Sequence, residues 1–128
     1  MKKLLLAIVL IVGCNQKQPP DPPKKQYSDT PIQPATLQVI KEEVDYWDDD
    51  TGGGGRWRNH RVKYEEDTHT LYYFIQVLEQ ANRIAMNAYC EKIQGIHDKY
   101  ASNYKRKIKI WKDYDVFGDP REETVPCE

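Results

Sequence analysis

The chain has 128 residues, enough for one small domain with a tail and too few for two. It carries 19 basic and 20 acidic residues, a net charge of −1, so it lacks the basic excess of a dedicated nucleic-acid binder. Its three cysteines, Cys14, Cys90 and Cys127, allow one internal pair with one left over.

At the start, Lys2-Lys3 precedes an apolar run from Leu4 to Val12, then Gly13-Cys14 and polar sequence. Nine apolar residues cannot span a bilayer, which needs ~20. Ile11-Val12-Gly13-Cys14 resembles the lipobox of bacterial lipoprotein signal peptides: an aliphatic residue, a tolerant position, a small residue, then the acylated cysteine. The resemblance covers residues 1–14 alone. It implies a signal peptide over 1–13, cleavage before Cys14, and diacylation then N-acylation of that cysteine. Two or more acyl chains anchor stably, so the membrane would be the first partner, held through Cys14 without a transmembrane helix. Lipoproteins retained at the inner membrane usually carry Asp after the cysteine; Asn15 here implies the outer membrane, facing the periplasm. In a single-membrane bacterium the same signal implies the outer face of the cytoplasmic membrane. Cleavage leaves 115 residues with 17 basic against 20 acidic, a charge near −3.

Residues 14–35 read as the acylated cysteine and a tether. Six of the eight prolines fall here, among Gln, Lys and Asp, and favour an extended polyproline spacer. Twenty such residues reach up to about 60 Å at ~3.1 Å each.

Residues 36–118 read as the folded domain, mainly α, with 119–128 as a C-terminal tail. Leu37, Ile40, Val44 and Trp47 step by three and four, which predicts a helix over 36–47 with Thr36 as N-cap. Asp48-Asp49-Asp50-Thr51 and Gly52–Gly55 end it. Val62 and Tyr64 alternate with Arg61 and Lys63, so 57–65 reads as a short strand or extended loop, with Trp57 out of phase. From Leu71 to Trp111, twelve apolar positions step by three or four at a period of about 3.6. That predicts one long amphipathic helix over 68–114, capped by Asp67 or Thr68, continuous or kinked at Gly95, with a break there into two antiparallel helices as the alternative. Lys41–Asp50 holds six acids against one lysine, so the short helix is expected to pack against the C-terminal half of the long one, bringing the acids near the cations of Lys105–Lys112. Gly118-Asp119-Pro120 reads as a stop.

No catalytic residues are expected, and the protein is not read as an enzyme. His60, His69 and His97 are scattered, and no metal-ligand spacing or nucleophile motif is present. His97-Asp98 reads as a solvated pair on the long helix. The Asp48–Asp50 run lacks the spacing of a calcium loop, and no Gly-Lys-Ser/Thr follows the glycines, so no cofactor is implied. The interaction signal is Lys105, Arg106, Lys107, Lys109, Trp111 and Lys112, five cations around two isoleucines and a tryptophan. It reads either as an ordinary helix C-terminus or as a patch for anionic headgroups or lipopolysaccharide. In the oxidising compartment that the lipobox implies, Cys90 and Cys127 are expected to pair, the tail running back along the helix. A buried free Cys90 with Cys127 joined to another chain is the alternative.

The functional expectation is a membrane-anchored, non-enzymatic binding or assembly module with an envelope protein partner. Two other readings stand beside it. The lipobox and tether are similar in outline to phage-related envelope lipoproteins, either lysis spanin subunits or superinfection-exclusion proteins. The Gly52–Gly55 loop could also serve an inhibitor of a periplasmic hydrolase.

Overall fold

The computed structural model describes residues 26–49 and 55–127; the lipobox with Cys14, most of the tether, and Gly52–Gly54 lie outside them. Six elements follow in order: α1 (Pro34–Asp49), β1 (Trp57–Glu65), β2 (Thr70–Val77), α2 (Arg83–Ala101), β3 (Lys105–Val116) and β4 (Asp119–Val125). The strands form one mixed sheet in the order β1-β2-β3-β4. Two antiparallel hairpins, β1–β2 and β3–β4, are joined by a parallel β2–β3 pairing. A parallel pair needs a long crossover, and α2 supplies it.

The architecture is therefore α+β, and the expected mainly helical fold is overturned. The segment 68–114 is not one helix: only Arg83–Ala101 is helical, flanked by β2 and β3. Asp67 and Thr68 do not cap a helix; they belong to the β1–β2 turn, where His69 has a positive φ of 51° and its N–H donates to Glu66 O at 3.3 Å. The actual cap is Asn82, whose side chain accepts from Ala85 N at 2.8 Å. Gly95 sits inside α2. The stop expected at Gly118 is a hairpin turn: Phe117 and Gly118, at φ 53° and 81°, form the two-residue loop that right-twisted strands favour.

The expected 36–47 helix lies within α1, but Pro34, not a Thr36 cap, opens it. Proline suits the first helical position because its fixed φ is already helical and its missing N–H has no partner to lose. The 57–65 segment is β1, and a register shift between Trp57 and Asn59 explains why Trp57 falls out of phase.

Both helices cover one face of the sheet. Leu71, Tyr73, Ile75 and Val77 of β2 alternate toward it and are buried, as are Ile108 and Ile110 of β3 and Val125 of β4. They pack with Ile40 and Val44 of α1 and Met86, Ile93 and Ile96 of α2 in one core. The end of α1 is tied to β1: Asp48 Oδ1 accepts from Trp57 N at 2.8 Å, and Asp45 and Asp48 both bond the His60 ring. Gly55 fits closely there: a Cβ would lie 2.9 Å from Asp48 Oδ1 and 3.2 Å from Trp57 O, so the carboxylate would have to shift. The acids of α1 thus meet His60, and Glu43 approaches Lys99 at 3.9 Å. The short helix does pack on α2, but the basic run pairs elsewhere, with Asp98, Glu122 and Glu123, so the expected charge pairing of α1 with the run does not form among the described residues.

Part of the proline-rich segment is also packed. Ser28 N donates to Asn103 O at 2.7 Å, Tyr104 Oη donates to Thr30 O at 2.9 Å, and Ile32 is buried. The chain therefore joins the domain beside the α2–β3 turn.

Candidate functional site: the open face of the sheet

The face turned away from the helices is uncovered by any other described element. Alternation along each strand decides which residues stand on it, and the register places them in rows. One row is Lys63, Tyr72 and Lys107 on β1, β2 and β3. The next is Arg61, Phe74 and Lys109. A third is Asn59, Gln76, Trp111 and Thr124, and beyond it stand Asp113 and Glu122. An aromatic strip is thus bordered by cations over two rows and by amides and a hydroxyl in the third.

Local contacts hold the strip upright. The Tyr72 and Phe74 rings are parallel to within 4°, with centroids 6.1 Å apart. The Arg61 guanidinium lies 5.1 Å from the Phe74 centroid, and Lys109 Nζ lies 4.7 Å from that of Trp111. Tyr72 Oη donates to Glu65 Oε1 at 3.1 Å, and this bond raises the tyrosine's pKa above its ordinary value. Gln76 Nε2 donates to Asp113 Oδ2 at 2.8 Å, and Lys109 Nζ stands 3.5 Å from Glu122. Lys63 and Lys107, both exposed, have no ion-pair partner among the described residues. Asn59, His60, Arg61, Phe74 and Trp111 line a shallow pocket of about 250 Å³ at one side of the strip.

The basic run is a strand, not a helix end, so alternation splits it. Lys107, Lys109 and Trp111 stand on the open face. Arg106 points to the helix side and binds Asp98 of α2 at 2.7 Å. Lys112 also turns that way, donating to Ala81 O at 2.6 Å and Glu79 O at 3.2 Å, with Glu123 at 3.8 Å. Lys105, exposed at the strand start, lies 6.0 Å from the Tyr27 ring. Arg61, Lys63, Tyr72 and Phe74 were missed as site residues; the signals for them are the alternation of Arg61 and Lys63 with Val62 and Tyr64, and the aromatic-rich run Leu71–Val77, short for a helix.

Cys90 and Cys127 are joined in a disulfide, S–S 2.08 Å and Cα–Cα 5.6 Å. The route differs from the expected one: the chain returns as the β3–β4 hairpin, and Cys127 meets α2 from the end of β4. His97 is buried, not solvated, and only Asp98 of that pair is exposed. Tyr104 O, an acceptor only, takes the Nε2–H at 2.8 Å, so Nδ1 accepts from Tyr73 Oη at 2.9 Å. Burial drives the Tyr73 hydroxyl's pKa far above its ordinary 10.0. Among the described residues no group of three or more His, Cys, Asp or Glu is placed to hold a metal. The chain matches no family model, no curated protein and no solved structure.

Proposed function

We propose that this is a lipid-anchored, non-enzymatic binding module of the bacterial cell envelope, held at the outer membrane through Cys14 and facing the periplasm. The observation that carries the binding role is the uncovered sheet face, where Tyr72, Phe74 and Trp111 stand among Arg61, Lys63, Lys107 and Lys109. Covering one face of an antiparallel or mixed sheet suffices for stability, and the other is normally polar and scattered. Here it gathers three aromatic rings in adjacent rows instead. The lipobox supports the anchoring role. With the chain packed from Ser28, about fourteen residues separate it from Cys14.

The test is fractionation with acyl labelling. Cys14→Ser should abolish label incorporation and move the protein out of the membrane fraction, while the parent stays there. A Cys14→Ser protein that sediments with membranes as the parent does would contradict the anchor.

A further inference from the structure

We infer that the open face binds an extended anionic polysaccharide, a sugar polymer bearing carboxylate or phosphate groups. The inference rests on the proposed envelope location only for where such a polymer is met; the recognition chemistry belongs to the face itself. Pyranose rings carry C–H groups that pack against aromatic side chains, and Tyr72, Phe74 and Trp111 form a half-buried aromatic strip on the two central strands whose outward ring edges can take them. Sugar hydroxyls need short, neutral hydrogen-bonding groups beside the ring, and Asn59, Gln76 and Thr124 share the row of Trp111.

Charge selects the polymer further. Lys63 and Arg61 border the strip on β1, and Lys107 and Lys109 border it on β3. Across three strands these borders stand about 10 Å apart, and successive rows repeat every ~6–7 Å along the strands. A chain lying along the strip would meet cations on both flanks at the Tyr72 and Phe74 rows. Among the described residues Lys63 and Lys107 have no competing ion pair, so engaging them breaks none of the ion pairs there. The face ends at Asp113 and Glu122, which repel a polyanion and fix where the bound segment stops. A peptide adding a strand would use a sheet edge instead of this face.

The experiment is equilibrium binding of the purified full chain in neutral detergent to polygalacturonate. The comparison probes are dextran, an oligothymidylate and phosphatidylglycerol vesicles. Saturable binding to polygalacturonate, weak for dextran and falling with salt, is expected. Lys63→Glu/Lys107→Glu and, separately, Trp111→Ala should weaken it about tenfold or more, while Lys41→Glu on α1 leaves it unchanged. Unchanged thermal unfolding of the charge variants separates this loss from misfolding. No binding at low salt, equal weakening by Lys41→Glu, or tighter binding of the oligothymidylate or the vesicles would overturn the inference. Because binding is measured in detergent, failed acylation at Cys14 would sink the anchor and leave this result standing.

Discussion

His97 stands inside the protein with both ring nitrogens bonded, one to Tyr73 Oη and one to Tyr104 O. It links the central strand β2 to the turn that leads into β3, next to the packed segment 28–32. His97→Ala would leave the Tyr73 hydroxyl unpaired in the core and open a cavity, so a loss of about 2–4 kcal/mol is expected in urea unfolding. A loss under about 0.5 kcal/mol would mean that the site relaxes around the deletion. The place of His97 was legible: it lies four residues after Ile93 and three before Tyr100, on the apolar row. The neighbouring Asp98 is exposed, and a charged neighbour is what makes the pair read as solvated. Gly95 was read as the place of a kink or a break; it lies in the middle of α2, exposed, and a Cβ there would meet nothing within 4 Å. Gly95→Ala should therefore stabilise by about 1 kcal/mol, raising the melting temperature by roughly 4–8 °C in a scanning thermal melt. A lowered melting temperature would contradict that placement.

At the scale of elements, periodicity misled where a strand carried apolar residues on both faces. In β2, Leu71, Tyr73, Ile75 and Val77 face the core, and Tyr72 and Phe74 face outward. With nearly every position apolar, steps of three and four can be drawn as readily as steps of two. The same steps continue correctly through α2 and then run into β3 by way of Tyr104 and Ile108. The alternation of Lys107, Lys109 and Trp111 with Ile108 and Ile110 was the missed signal. Parallel pairing of β2 with β3 was not legible, because it joins segments about 35 residues apart and no local pattern encodes it. The edge strand β4 has β3 as its one strand neighbour and is stapled to α2 by Cys90–Cys127. The bridge closes a loop of 37 residues, so reduction should cost about 3–4 kcal/mol, chiefly by freeing the unfolded chain. Amide exchange in 119–125 should rise first as the edge frays. The check is a urea midpoint and exchange profile with and without reductant. Two alkylatable thiols in the untreated monomer would show that the bridge is not formed.

For the whole molecule, the proposed binding role places one face of the sheet toward the envelope, with the helices behind it. The basic residues of β3 lie toward its start, beside the point where the tether joins, and the acids Asp113, Asp115, Asp119, Glu122 and Glu123 lie toward the β3–β4 hairpin. Composition alone hid this polarity, because a net charge of −1 averages the two ends. The most direct measurement is hydroxyl-radical footprinting of the full chain in native envelopes against the same chain purified in detergent. Tyr72, Phe74 and Trp111 should be protected several-fold in envelopes, while Tyr46, 61% exposed on α1, reacts equally in both. Protection of Tyr46 with the three sheet-face rings unchanged would contradict the account.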